Sequence, residues 1–256
     1  MSKNIRIKNI LWSLVFLLFA AGIGSAQSLL YFPQVAVGSL GNNVVWLTAM
    51  ALTNPAGPGT PAANGTITLR RDDGTPMNVT FIDETGASVG SAFQIGGGQT
   101  RFFFSANAME VPLSTGFATV ASSLPVTGAL IFAMASPSGA GAQAGVPPAT
   151  PLTRQGIVAI KNSSFNTGVA VANPGTETST ITFQLVDKSG SPIAPEVTRK
   201  LAANNHSAFF VGDLFPAAPS AIWGTLRITS DRPVVSTALA FNPDNTFETL
   251  PVFPLP

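Results

Sequence analysis

The chain has 256 residues, with 13 Lys and Arg, 12 Asp and Glu, one His and no Cys. The lack of cysteine excludes a disulfide framework, so stability has to come from buried apolar area in domains of ordinary size. With 24 Gly, 21 Pro and only 10% charged residues, the composition excludes a chain of long helices and suits short strands joined by tight turns.

Lys3, Arg6 and Lys8 precede an apolar run from Ile10 to Ile23, which the small residues Gly24, Ser25 and Ala26 close. A basic start, a short apolar core and a small-residue exit predict a secretory signal peptide over 1–26, cleaved after Ala26. The run is shorter than the ~20 apolar residues that span a bilayer, so no transmembrane span is expected after cleavage. An exported protein follows, in the periplasm, at the cell surface or outside the cell. Removing three basic residues leaves 10 basic against 12 acidic, a net charge of −2 with His neutral. That balance lacks the basic footprint of phosphate-backbone binding, so nucleic acid is not expected as a partner.

In the first half, Trp46 is read as core, and Leu47 to Asn54 as an apolar strand ending in Asn54-Pro55. Thr66-Ile67-Thr68-Leu69 alternates, which places one face in the core and one in solvent. Asp73-Gly74 makes the following turn, because Gly tolerates the positive φ required there. The pairs Asp72–Asp73 and Asp83–Glu84 could suggest calcium, yet neither sits in an Asp-x-Asp-x-Asp-Gly loop. They serve turns, and no metal or cofactor is expected. Gly86-Ala87-Ser88-Val89-Gly90 is a literal Gly-x-Ser-x-Gly, the nucleophile elbow of α/β-hydrolases. Ser91 to Ile95 then reads as a strand rather than a helix, and the sole histidine, His206, lies in the other half. A Gly-rich hairpin loop is the expectation, and no catalytic residue is assigned. Gly96-Gly97-Gly98 lacks the Lys-Ser/Thr of a phosphate loop and is a turn. Phe102-Phe103-Phe104 leads to the strand Gly116 to Val120 and to Pro125-Val126 before a last apolar strand.

Residues 137–152, rich in Gly, Ala and Pro without alternation, are expected to link a domain over 27–136 to one over 153–256. The second half repeats the order of the first. Gly168 to Asn173-Pro174, Thr180 to Phe183, the turn Asp187 to Pro192, Phe209-Phe210, Gly224 to Ile228 and Pro233-Val234 match the earlier landmarks. Gly212 to Phe215 reads as one helical turn that Asp213 could cap, and Trp223 is read as core. A lone His cannot supply a zinc site, so His206 is read as a turn residue near solvent. Strands recurring every ~10–14 residues give the fold class: all-β, two tandem immunoglobulin-like antiparallel β-sandwiches of about seven strands each.

Neighbours on a strand point to opposite faces. With Phe102 and Phe104 inward, Phe103 and its counterpart Phe210 point out. Domain or linker contacts then cover them, or they form an apolar patch for a partner.

Tyr31-Phe32-Pro33-Gln34-Val35, Asn173-Pro174 after its Gly-Val-Ala-Val-Ala strand, Ala144-Gly145-Val146-Pro147 and Leu214-Phe215-Pro216 recur as landmarks in exported bacterial tandem β-sandwich proteins, which this chain resembles. The resemblance implies immunoglobulin-like sandwiches outside the cytoplasm and carries over no catalytic residue.

The function expected is an exported, non-catalytic structural or adhesion module with a protein or glycan partner at the cell surface. A carbohydrate-binding protein is the alternative, although Tyr31, Trp46 and Trp223 are the only Tyr or Trp after residue 26 and a sugar-binding face usually wants several. A secreted hydrolase using Ser88 or a pair of carboxylates ranks third.

Overall fold

The computed structural model describes residues 27–41, 44–135, 141–244 and 246–256. The expected signal peptide, 1–26, lies outside them, as does the start of the expected linker, 137–140. The N-terminal half holds β1 (Ser28–Ser39), β2 (Val45–Thr53), β3 (Ala63–Arg71), β4 (Phe81–Ile82), β5 (Ser88–Val89), β6 (Ala92–Ile95), β7 (Thr100–Ser105), β8 (Ser114–Ser122), β9 (Thr127–Ala135) and β10 (Ala142–Val146). The C-terminal half holds β11 (Leu152–Lys161), β12 (Asn166–Ala172), β13 (Ser179–Asp187), β14 (Val197–Leu201) and β15 (His206–Phe210). There follow the helical turn α1 (Val211–Leu214), β16 (Ile222–Phe241), β17 (Phe247–Leu250) and β18 (Val252–Pro254). No helix among the described residues is long and apolar enough to cross a membrane.

Among the described residues, the named strands pair antiparallel, and one isolated parallel bridge joins Ser39 to Pro112. In the N-terminal half β1, β8, β3 and β6 pair in that order, and β5, β4, β7, β2, β9 and β10 form the opposing layer. β1 belongs to both layers, pairing β8 along most of its length and β2 at its end. Its register shifts between Phe32 and Val35, where Pro33 has no N–H to give a ladder. Such a bulge bends a strand and re-aims a side chain. Here the residue in the bulge is Gln34.

The C-terminal half reaches the same result with one long strand. Ile222 to Ser230 of β16 lies between β11 and β13, and Val235 to Phe241 lies against β12 and β17. The separate strands expected on either side of Pro233-Val234 are thus one strand that changes layers around its exposed residues 231–233.

Alternation places the cores as expected: Ile181, Phe183 and Leu185 are buried between half-buried Thr180, Thr182 and Gln184. Two equivalent hydrogen-bond sets brace the halves. Asn54 Nδ2 donates to Pro61 O and Ile95 O while its Oδ1 accepts from Ala56 N; Asn173 Nδ2 donates to Glu177 O and Leu201 O while its Oδ1 accepts from Gly175 N. Thr48 Oγ1 bonds both backbone groups of Ala36, and Thr167 Oγ1 both of Ile160.

The stretch expected as linker differs from expectation. β10 pairs all along β9, with Ala142, Ala144 and Val146 buried and Gln143 and Gly145 exposed. Its buried positions are Ala142, Ala144 and Val146 and its second exposed position is Gly145, so Gln143 is the single polar residue that marks the period. Beyond β10, Ala149 N donates to Tyr31 O (2.7 Å), which ties the connection to β1.

Candidate functional site

The halves meet along a buried junction. Phe117 and Tyr31 from the first half pack with Ala172 and Val235 from the second. More telling, Leu239 and Phe247 of the second half are members of the first half's core. A run of rings crosses the boundary: Trp46 to Phe132 (centroids 4.8 Å), Phe132 to Phe247 (5.5 Å), Phe247 to Phe241 (5.3 Å) and Phe241 to Phe210 (5.1 Å).

A polar contact closes the same junction. His206 is 3% exposed, against the expectation of a solvent-facing turn. Its Nδ1 lies 2.7 Å from Asp72 Oδ1 and its Nε2 3.1 Å from Gln34 Oε1, both in the first half. Gln34 Nε2 donates to Val35 O (3.2 Å), which leaves its Oε1 turned to the imidazole ring. Backbone contacts reinforce it: His206 N donates to Asp72 O (3.1 Å), and the Asn205 amide donates to Asp73 O (3.1 Å). Gly74 has φ +80°, and a Cβ there would lie 2.7 Å from the Asn205 side-chain amide. Glycine thus permits both the turn and the close approach. Partial burial opposes ionisation of Asp72. Hydrogen bonds from His206 and Thr115, with the His206 charge, outweigh it and hold the carboxyl below its ordinary value.

Beside this contact lies a cleft of about 280 Å³. It is lined by Gly168, Ala170, Ala208, Phe210 and Phe241 of the second half and by Gln34 and Phe132 of the first. Asp213 stands at the rim, exposed; it lies within α1 and forms no side-chain cap to it.

The expected patch residues separate. Phe210 is half-buried and lines the cleft, its ring against Phe241 of the same half (5.1 Å). Phe103 does not point out. It is fully buried, with edge contacts to Phe81 (5.9 Å) and Phe93 (6.3 Å). Phe102 and Phe104 take the outer face, stacked at 6.2 Å, with Phe102 41% exposed. In the observed pairing Phe102 meets Ala51 and Ala208 meets Ala170. Phe103 therefore corresponds to inward Phe209, and Phe104 to Phe210. The one-residue offset reverses every face, as any such slip does.

Ser88 sits in an exposed hairpin, as expected from sequence. β5 pairs β4, and Asp83 Oδ1 accepts from Thr85 N, Thr85 Oγ1 and Ala87 N across the turn. Trp46 is largely buried, but Trp223, expected in the core, is 56% exposed on the outer face of β16. Among the described residues no three His, Asp or Glu side chains converge.

No family model and no curated protein matches the chain. Two solved structures align weakly. The major pilin subunit of Bacillus cereus, BcpA, is 11% identical over 90% of this chain, with a TM-score of 0.18. An icosahedral viral particle of IBDV is 12% identical over 86%, with a TM-score of 0.20. The chain spans 66% of the length of each, and TM-scores this low assign neither fold family nor function.

Proposed function

We propose that the chain is an exported, non-catalytic structural or adhesion module made of two duplicated immunoglobulin-like β-sandwiches. The observation that carries the reading is the use made of His206. The chain's sole histidine, which alone could serve as an imidazole base for Ser88, has both ring nitrogens committed to Asp72 and Gln34 across the junction. A nucleophilic serine needs its base within hydrogen-bond reach, and Ser88 stands on an exposed hairpin instead. The matched bonds of Asn54 with Asn173, and of Thr48 with Thr167, support duplication.

Expression in a bacterial host tests both parts. The chain should be recovered outside the cytoplasm with Gln27 as its first residue, and should hydrolyse aryl esters no faster than buffer. Retention of an unprocessed chain in the cytoplasm would contradict export, and ester hydrolysis abolished by Ser88→Ala would contradict the non-catalytic reading.

A carbohydrate-binding protein is the second reading. The exposure of Trp223 favours it, because an indole ring face in solvent can stack on a pyranose.

A further inference from the structure

We infer that the outer face of the sheet formed by β13, the first part of β16, β11 and β18 binds an acidic polysaccharide. Trp223 supplies the stacking ring, and Arg227 and Lys188 select the acid. This rests on the carbohydrate-binding reading and names the ligand class and the residues.

Trp223, Thr225 and Arg227 alternate with buried Leu226 and Ile228 and so share the outer face. Across the sheet they pair with Ile160, Val158 and Gly156 in turn. From Trp223 to Arg227 the strand rises about 13 Å, longer than one sugar ring. Phe253 pairs with Gly156, and a Cβ at 156 would lie 2.3 Å from the Phe253 ring. Glycine there lets the ring rest against the sheet, where it is 37% exposed. Two large aromatic side chains therefore meet solvent on this face.

A groove on this face is lined by two cations, Lys188 and Arg227, and one carboxylate, Asp187. It has a volume of about 490 Å³ and runs past Lys188, Ser189, Thr225, Arg227 and Phe253. Asp187 also borders it and stays ionised, its Oδ1 accepting from Ser189 Oγ (2.6 Å), Ser189 N (2.8 Å) and Ser191 N (3.0 Å), which fix the turn. Arg227 Nη1 donates to Gln184 Oε1 (3.3 Å), and Gln184 Nε2 donates to Glu196 Oε1 (2.8 Å). That ladder places Glu196 beyond Gln184 and ties the guanidinium to the outer face beside the groove it lines. A guanidinium so held offers the paired donors that a carboxylate accepts, while the Trp223 ring takes the apolar face of a neighbouring sugar. A polyuronate has both features in repeat.

Calorimetric titration of the full chain with polygalacturonate and with a neutral β-glucan, at 0.15 M salt, tests the inference. Saturable binding of polygalacturonate is expected, with the glucan at least tenfold weaker. Trp223→Ala should weaken polygalacturonate at least tenfold. Arg227→Gln, and independently Lys188→Gln, should bring the two polymers toward equal affinity. All three side chains are exposed, so melting temperatures should match wild type. Equal affinity of the wild-type chain for both polymers, or polyuronate binding indifferent to Trp223 and Arg227, would overturn the inference and leave the carbohydrate reading standing. Binding of neither polymer would overturn both.

Discussion

Phe247 reports on how the halves are joined, and Phe247→Ala is the most informative single change. The side chain belongs to the C-terminal half yet is 3% exposed inside the N-terminal core. It lies 5.3 Å from Phe241, 5.5 Å from Phe132 and 6.0 Å from Trp46. Truncating a buried Phe to Ala costs about 3–5 kcal/mol through lost transfer energy and the cavity left behind. Against a total stability of about 5–15 kcal/mol, that is a large fraction. At this chain length it corresponds to a fall in Tm of about 10 °C. Urea unfolding followed by tryptophan fluorescence measures it, since Trp46 borders the cavity. Phe102→Ala is the control: Phe102 is 41% exposed, so its loss should cost under about 1 kcal/mol. If Phe247→Ala proved no more costly than Phe102→Ala, the reasoning about the junction would be refuted.

The Asp72–His206 contact should give a pH signature. A carboxyl held below its ordinary value contributes stability that is fully present above about pH 4 and is lost as pH falls through the lowered folded value. The Tm difference between wild type and Asp72→Asn should therefore shrink between pH 4 and pH 2. Its size should be about 1 kcal/mol or less, because Asp72 is half exposed; a difference unchanged to pH 2 would contradict the contact. Asn173→Ala should destabilise by about 2–4 kcal/mol, since it strands the buried carbonyl of Leu201 and the N–H of Gly175. Asn173→Asp should do no better in a chemical melt, because a carboxylate cannot donate to those carbonyls.

Much of the layer architecture could be read from residue order alone. Ile181, Phe183 and Leu185 alternate cleanly with polar residues, and all three are buried. The Asp-Gly turn and the Gly-x-Ser-x-Gly hairpin follow from local chemistry and sit where it puts them. Phe102-Phe103-Phe104 was less tractable, because consecutive aromatics carry no alternation and either face assignment satisfies the period. β10 was hidden because Gln143 is the single polar residue that marks its period. His206 could not be placed locally, since its carboxylate partner lies 134 positions away and only the docking of the two halves brings them together. Trp223 reverses the usual burial of a large aromatic on a strand. Residue type alone favours the core, yet Trp223 shares its strand parity with Thr225 and Arg227, opposite Ile222, Leu226 and Ile228, so the alternation of β16 is the signal that places it outward.

Because Leu239 and Phe247 of the second half pack in the first half's core, the two halves should open as one cooperative unit, and hydrogen exchange at core amides of each half tests this most directly. Met50 in β2 and Ile157 in β11, both fully buried strand positions, should exchange with the same free energy of opening and lose protection together in Phe247→Ala. Separate opening free energies in the wild-type chain, with Ile157 protected while Met50 exchanges or the reverse, would contradict it.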